Sequence, residues 1–381
     1  MDVQAATQVW LGRLPAAARA AAAAHTHERL LVWTSSGLAV IAVCLVVHKL
    51  DLIGRLRRTL EGEGPRPWLV SAAAAGLLVA LILAAHAPFD AFSAWRADQL
   101  FGVAPAPSLA ARLVQTLRGI MPLAAAAIVL APLAQALMRR RPAAWPWILG
   151  AIVAPLMIAV GWGPYALSAG PPLKLLPAGP LRDGLWRLVL DAHLPARQIF
   201  LCADPAMDLD VTGGFGRAVV LVGPQMTGAP VAEARAFAGH LMGHYAHGDI
   251  LSIWVMTAGL TVLGFLAAQR LFRVAARLIG SPAVAGPAEP EALPILAIIA
   301  VVFIGLAAPL SNGFVQAVNV RADDFSLAHA REPDGLAAVL ERRWDHENVD
   351  PPLIERALFY PHPPLKDRIL HAMAWKADHG G

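Results

Sequence analysis

A polar segment of the chain meets an apolar one at Phe237-Ala238-Gly239-His240-Leu241-Met242-Gly243-His244-Tyr245-Ala246-His247-Gly248-Asp249-Ile250. In a helix, the spacing of His240 and His244 places both imidazoles on one face, one turn apart. Two imidazoles in that arrangement can bind one metal ion, Zn²⁺ in particular. Two surface or hydrogen-bonded core histidines would show the same spacing, so the rest of the sequence has to distinguish the two interpretations.

Leu241 stands at the position where the zinc-protease signature HExxH carries its glutamate. That carboxylate accepts a proton from the metal-bound water and so acts as the general base of hydrolysis. A leucine side chain has no group that can accept a proton. The sequence therefore predicts that Leu241 replaces the general base.

The composition is that of a polytopic membrane protein. Of the 381 residues, 57% are apolar and 15% are charged, and the mean hydropathy is +0.54. A helix needs about 20 mostly apolar residues to cross a bilayer. Windows without charges that approach this length predict six membrane-spanning helices, at residues 30–47, 67–87, 119–138, 142–173, 250–269 and 292–320. The last span is expected to continue as a helix beyond the membrane.

Polar sequence interrupts the apolar blocks after residue 168. We therefore predict a membrane region with four spans over residues 1–168, and a second part over 169–381 that includes two further spans, 250–269 and 292–320. Sequence patterns in the second part predict helices at 181–192 and 334–344, strands at 198–203 and 218–222, a turn at 211–217 and a loop at 283–294. A helix that begins near Val231 should contain both histidines and run on into the fifth span. The predicted fold class is mostly α, with about six membrane helices and a small α+β domain.

Basic residues cluster at the ends of the spans. The net charge is only +4, and a group such as Arg139, Arg140 and Arg141 is typical of a cytoplasmic loop rather than of a nucleic-acid site. With six spans, the basic clusters would place both termini and the start of the histidine helix outside the cytoplasm. The first 28 residues lack the pattern of a cleaved signal peptide, so the first span should be an uncleaved anchor. The expected partner is the lipid bilayer, and no nucleic acid.

Five blocks, in order along the chain, resemble the membrane zinc metallopeptidases of the type I CAAX prenyl protease and HtpX family. The histidine stretch resembles their active-site helix, and Pro361-His362-Pro363-Pro364-Leu365-Lys366-Asp367-Arg368-Ile369 resembles their HPP-x-x-x-R-I block. Residues 180–185 resemble the entry to their soluble domain, 212–221 a glycine turn and strand, and 309–327 the helix that brings the third metal ligand. Together with residues 95–121, the resemblance covers about three quarters of the chain. It implies a zincin-like domain, a zinc ion and a site that faces the cytoplasm, in conflict with the charge bias.

The resemblance also locates a departure at the metal site. Ala322 and Asp323 match the Ala-Asp pair of the third-ligand helix, which puts Asn319 where the family has its ligand glutamate. The implied ligands are then His240, His244 and Asn319, a degenerate and neutral set. Asn is a poor zinc ligand compared with carboxylate, imidazole or thiolate. We therefore expect zinc binding to be weak or absent.

Two other residues could take over the lost roles. Asp323 lies one helical turn from Asn319 and would, by the resemblance, orient a ligand histidine, although it could also move in as a ligand. His362 resembles the family histidine that approaches the substrate carbonyl, or it is a turn histidine held between prolines. Asp208 and Leu209 stand where the family's substrate-pairing strand begins with an Asn-Ala pair.

These observations lead to three hypotheses about function. The first is a pseudoprotease, a catalytically inactive membrane homologue of a zinc metalloendopeptidase that binds membrane or lipidated peptides without cutting them. The second is an active metalloendopeptidase with substituted catalytic groups, and the third is a small-molecule or metal transporter. The predicted spans hold almost no charged residue that could form an ion path, which disfavours a transporter. The Ala, Arg and Pro bias is compatible with a high-GC bacterium, so the expected location is the bacterial inner membrane.

Overall fold

A computed structural model describes residues 1–62, 64–101, 107–167, 174–204, 207–281 and 284–380. Within these residues, six helices are long and apolar enough to cross a membrane: Ala16–Lys49, Pro67–Phe101, Leu109–Arg140, Trp145–Leu167, Asp249–Leu278 and Pro290–Ala330. They confirm the six predicted spans. The predicted end of the fourth span, residues 168–173, lies outside the described residues. The last helix continues well beyond its predicted span, as expected.

The described helices are α1 (Val3–Arg13), α2 (Ala16–Lys49), α3 (Leu52–Leu60), α4 (Pro67–Phe101), α5 (Leu109–Arg140), α6 (Trp145–Leu167), α7 (Pro180–Asp191), α8 (Pro224–Thr227), α9 (Val231–His247), α10 (Asp249–Leu278), α11 (Leu293–Ala330), α12 (Pro333–Arg342), α13 (Leu353–Phe359) and α14 (Leu365–Asp378). The described strands are β1 (Lys174–Leu175), β2 (Ala196–Leu201), β3 (Leu209–Thr212) and β4 (Ala218–Val222). A short turn of 3₁₀ helix, Pro290–Ala292, leads into α11 within the segment predicted as a loop. Ala283, where that predicted loop begins, lies outside the described residues.

The chain forms two compact units that alternate along the sequence. One unit comprises Met1–Ala23, Pro155–Thr257 and Ala308–Gly381, and the other comprises Ala24–Ala154 and Ala258–Ala307. The first unit holds the histidine helix and the sheet, and the second is built from membrane-length helices. The predicted division into 1–168 and 169–381 has its boundary outside the described residues and stays a prediction.

The sheet of the first unit has the order β1-β2-β4-β3 among the described strands. Strand β2 is parallel to β4, whereas β1 and β3 are antiparallel to their neighbours. The two predicted strands are confirmed, but the turn predicted at 211–217 was wrong at its start. Val211 and Thr212 are buried and belong to β3, because they pair with β4 and the chain reverses only from Gly213, whose φ is +123°. The four-residue strand is too short for alternation to distinguish it from a turn.

Helix α9 packs on this sheet and ends before α10, the fifth membrane-length helix. The prediction that it runs unbroken into the fifth span was wrong, because Gly248 adopts the left-handed conformation (φ 64°) and closes the helix as its C-cap. Its N–H donates to the carbonyl oxygens of His244 and Tyr245, the pattern by which glycine commonly ends a helix. A new helix, α10, starts at Asp249. The break turns the Asp249 side chain back toward the preceding turn, where it meets His244.

Two glycines bring α9 close to α11. A Cβ atom at Gly243 would lie 3.0 Å from the Cα of Ala322, and one at Gly239 would lie 2.9 Å from the hydroxyl of Ser326. Both distances are shorter than ordinary van der Waals contact. The absence of side chains on this face of α9 therefore sets the spacing of the two helices that carry the histidines and Asn319.

We predict that Gly243→Ala destabilises the protein by about 1–3 kcal/mol, because a methyl group at Gly243 would force the two backbones apart. Thermal unfolding in detergent measures the effect. Gly259→Ala on α10 is the matched control, since no described atom lies within 4 Å of its added Cβ. The control should be neutral or stabilising. Equal melting temperatures for the two variants would show that the close approach of α9 and α11 is unimportant.

A second apolar cluster of the first unit joins the N-terminal helix to the C-terminal ones. Trp10 and Leu11 of α1 are buried against α12 and α14, together with Leu336, Ile369 and Met373. Helix α12 was predicted at 334–344, and the observed helix, Pro333–Arg342, confirms it. Because α12 and the segment before α14 also line the histidine site, this cluster holds part of the site's wall in place.

The second unit contains polar contacts between its long helices. Ser36 of α2 contacts the ring nitrogen Nδ1 of His86 on α4, and His86 Nε2 lies 3.0 Å from Asp90. Asp98 of α4 forms a 2.6 Å ion pair with Arg112 of α5. Such pairs satisfy polar groups that would be costly in hydrocarbon. The fold is therefore mostly α, with six membrane-length helices and a small domain around a sheet of four described strands, as the sequence predicts.

Candidate metal centre

His240 and His244 lie one turn apart on α9, and their rings meet edge to face. The Nε2 atoms are 3.1 Å apart, with the ring planes at 83°. Two nitrogens that bind one tetrahedral zinc ion at its usual bond length lie about 3.3–3.4 Å apart. The two imidazoles therefore already hold a spacing close to that of two ligands of one ion.

Each imidazole is held from behind by a carboxylate. His240 Nδ1 lies 2.8 Å from Asp323 Oδ1, and His244 Nδ1 lies 2.9 Å from Asp249 Oδ2. An ionised carboxylate can only accept a hydrogen bond, so both Nδ1 atoms carry the proton and donate. In the neutral rings both Nε2 atoms then carry lone pairs that point toward each other. Such convergence is unfavourable unless a cation sits between them, and it is the usual arrangement of metal-binding histidines.

Each of these carboxylates has an arginine partner. Arg368 forms a bidentate pair with Asp323, with both N···O distances at 2.7 Å. Arg321 pairs with Asp249. The side chains of Asp323 and Asp249 are 2% and 0% exposed, so the pairing compensates charges that would otherwise be buried alone.

The surroundings of His240 keep its imidazole neutral. Burial lowers the pKa of His240 to about 4, despite the opposing influence of Asp323, and the nearby Arg368 and His244 lower it further. At neutral pH His240 therefore offers an unprotonated Nε2, which is the form that binds a metal.

Asn319 lies in the same cavity as the two histidines. Its Nδ2 donates to the carbonyl oxygen of Val315 at 2.9 Å. Its Oδ1 is buried and has no hydrogen-bond partner among the described residues. The described residues contain no group of three or more His, Cys, Asp or Glu that could hold a metal ion. The two imidazoles have the spacing of two zinc ligands, and the amide of Asn319 lines the same cavity.

The cavity has a volume of about 320 Å³, and all its lining residues belong to the first unit. Leu241 and His362, both singled out by the sequence, line it beside the histidine pair. Desolvation lowers the pKa of His362, and the positive charge of Arg368 adds to the effect. Asp323 lies behind His240 and is 1% exposed, so it faces its ion-pair partner rather than open space.

Sequence reasoning missed several residues of this site. Asp249 and Arg368 stood inside the quoted blocks but had no assigned role, and Arg321 was not singled out. A carboxylate directly after the helix-ending Gly248 is a signal that could have identified Asp249. Asp345, which also lines the cavity, follows α12 and carries no local signal at all.

A second cavity lies at the start of the edge strand β3. It measures about 860 Å³ and is lined by Asp208 and Leu209, at the start of β3. Arg343 and Trp344 line both this cavity and the histidine cavity. Arg343 pairs with Asp208 and stacks over Phe237, with 4.4 Å from its guanidinium carbon to the ring centre. Arg343 and Trp344 are therefore a wall that the two cavities share.

Comparisons with known proteins agree with this geometry. Residues 193–376 match Peptidase family M48. A Bacillus subtilis (strain 168) protein described as "Uncharacterized metalloprotease YhfN" is 24% identical over 203 residues, which cover 50% of this chain and 47% of that protein. The match thus spans about half of that relative's length.

The crystal structure of S. mikatae Ste24p has a similar fold. It superposes with a TM-score of 0.50 at 12% sequence identity, over 89% of this chain and 98% of that one. At this identity the likeness concerns the fold alone. Residues 193–376 therefore form a domain of peptidase family M48, in a chain whose described residues include six membrane-length helices.

Proposed function

We propose that this protein binds peptide segments of membrane or lipidated proteins in the histidine cavity and does not cut them. The observation that carries the proposal is Leu241, whose side chain lines the cavity together with His240 and His244. A hydrolase of this type needs a carboxylate there to take a proton from the attacking water. An aliphatic side chain preserves the shape of a binding site but supports no proton transfer.

The sheet edge supports peptide binding. Strand β3 pairs with β4 on one side and is the last of the described strands of the sheet. On its other side Tyr165 of α6 donates to the carbonyl oxygen of Val211, so strand addition by an extended peptide is open at the start of β3, beside Leu209. The larger cavity lies beside the start of this strand, at Asp208 and Leu209. A peptide added along β3 would continue past Arg343 and Trp344 into the histidine cavity. We therefore assign peptide recognition to the edge strand and the two cavities.

We also propose that zinc binds weakly at this site, through His240 and His244 with Asn319 as the third position. Both histidines present free Nε2 atoms at a suitable spacing, which supports metal binding. The amide oxygen of Asn319 supplies no charge and is a weak zinc ligand. The bacterial inner membrane is the proposed location of the protein, in line with its composition.

An active metalloendopeptidase is the second candidate, and one observation favours it. Asp345 and Glu347 line the histidine cavity, and either carboxylate could act as a base if a substrate brought water beside it. His362 lines the cavity as well. Asp323 is a weaker replacement, because His240 and Arg368 already occupy both of its oxygens.

Purified protein incubated with zinc and either casein or a prenylated peptide separates the two candidates. We expect no cleavage above that of a His240→Ala/His244→Ala variant. Cleavage by the wild type that o-phenanthroline and the double variant both abolish would establish the active enzyme instead.

Binding is tested with a fluorescent prenylated peptide by anisotropy. Leu340→Arg places a charged side chain in the cavity wall and should weaken binding about tenfold, equivalent to about 1.4 kcal/mol. Leu353→Arg is the matched control, because Leu353 is 81% exposed on α13. Equal affinities for the wild type and both variants would show that peptides do not occupy this cavity.

A further inference from the structure

The two carboxylates that contact the histidine pair are neutralised without a metal ion. Asp323 is neutralised by the bidentate Arg368, and Asp249 by Arg321. The imidazoles add no charge when they are neutral, and only the neutral form has an Nε2 lone pair that can bind a cation. The buried carboxylates are therefore already compensated and have no negative charge to spare for an ion in the cavity.

Asn319, the residue at the third ligand position, is neutral too, and one of its side-chain atoms lacks a hydrogen-bond partner among the described residues. Asn319 is 3% exposed, and its Oδ1 has no hydrogen-bond partner among the described residues although it lies against the cavity. A buried carbonyl oxygen without a partner is unfavourable. The unpartnered oxygen and the two free Nε2 atoms thus form a set of acceptors that only a cation or a hydrogen-bond donor can satisfy.

A divalent ion at this set would bring two positive charges into a largely buried site, where Asp345 and Glu347 are the other carboxylates of the cavity lining. Burying charge is costly unless an opposite charge accompanies it. The cavity, at about 320 Å³, has room for a further group beside the histidines. A negative group that enters with the ligand can therefore supply the charge that Asn319 does not.

We propose that a carboxylate of the bound peptide completes the metal site of this chain, so that the metal ion and a carboxylate-bearing ligand bind together. This inference rests on the proposed peptide-binding function and adds the chemistry of the ligand. The carboxylate would come from a peptide C-terminus or from an acidic side chain. Because coupling between two ligands is reciprocal, the metal should raise the affinity for the carboxylate by the same factor.

Zinc binding by the purified full-length protein tests this coupling, by competition with a fluorescent chelator. Zinc affinity is measured alone, with acetate, with a peptide that has a free C-terminal carboxylate, with its amidated form, and with an amidated peptide that contains an internal Glu. We expect acetate and the free-acid peptide to raise zinc affinity about tenfold or more, as typical couplings do. The amidated peptide without an internal Glu should have no effect. The internal Glu shows whether a side-chain carboxylate suffices.

Three variants serve as controls. Asn319→Glu supplies a carboxylate from the chain itself. This variant should bind zinc more tightly than the wild type without acetate, and added carboxylates should raise its zinc affinity much less. His240→Ala should remove zinc binding under every condition. His247→Ala should behave as the wild type, because the His247 ring is hydrogen-bonded to the carbonyl oxygen of Gly243 on the same helix and does not line the cavity.

Two results would overturn the inference. One is equal zinc affinity of the wild type with and without carboxylates, and the other is failure of the wild type to bind zinc even with acetate or the free-acid peptide. Peptide cleavage together with the coupling would refute the proposed function but leave the inference standing. Absence of both cleavage and coupling would refute the inference alone.

Discussion

The double variant Leu241→Glu/Asn319→Glu is expected to bind zinc tightly and to cleave peptides in a reaction that o-phenanthroline abolishes. Asn319→Glu supplies the anionic ligand that offsets half of the charge of the ion. Leu241→Glu supplies a base at the cavity wall, and positioned general bases contribute about 10²–10⁴-fold to reaction rates. The expected gain is therefore from no detectable turnover to a measurable rate.

The scaffold around the two substitutions supports this expectation. His240 and His244 are already oriented by Asp323 and Asp249, so neither new carboxylate has to reorganise them. Leu241 is only partly buried where it packs against the domain core. A glutamate at that position can turn its carboxylate toward the cavity without being buried.

Leu241→Gln/Asn319→Gln is the control for the double variant, because it has the same shape and lacks the charges. Zinc content by metal analysis and peptide cleavage by mass spectrometry are the measurements. If the glutamate variant folds but binds no zinc, the spacing of α9 and α11 cannot support a metal site. Cleavage by the glutamine control would place the base elsewhere in the cavity.

The second large effect is expected from Arg368→Met, which leaves Asp323 buried without its arginine. Removal of one partner from a buried ion pair costs about 3–5 kcal/mol, because the remaining charge stays uncompensated. We expect a marked fall in melting temperature in detergent. Asp323→Asn in the same background should recover part of the loss, since it removes the stranded charge.

Lys376→Met is the matched control for Arg368→Met. Lys376 pairs with Asp334 at 2.5 Å, but the Asp334 side chain is 54% exposed. Exposed pairs contribute about 0–1 kcal/mol, so this variant should melt close to the wild type. If both variants lost the same stability, burial of the Asp323 pair would not be what stabilises it.

Much of the fold could be predicted because it depends on local properties of the sequence. The spans were recognisable from uninterrupted apolar runs, and the strand at 218–222 from β-branched residues. The short strand β3 and the end of α9 were not recognised. The turn at 211–217 was predicted from its three glycines, whereas pairing with β4 places Val211 and Thr212 in a strand. The histidine helix was extended because an apolar run follows its polar face, whereas the cap at Gly248 ends it.

Some residues of the histidine site could likewise be predicted from the sequence, and others could not. His240, Leu241 and His244 could be identified because their spacing on one helix is a local property. Asp323 and Arg368 act on His240 from 83 and 128 residues away along the chain. Arg343 and Trp344, which join the two cavities, could not be assigned from any motif.

By itself the sequence determined that the chain contains membrane-length apolar helices, that two imidazoles share one helix face, and that leucine and asparagine stand where the resemblance expects two glutamates. These follow from segment length, helical period and residue identity, which need no partner. Only the tertiary structure decided which carboxylates orient the imidazoles and that arginines neutralise those carboxylates. It also decided that Asn319 Oδ1 is left without a partner. Hydrogen bonds and charge compensation arise between segments distant in sequence, and they exist only once α9, α11 and α14 have packed together.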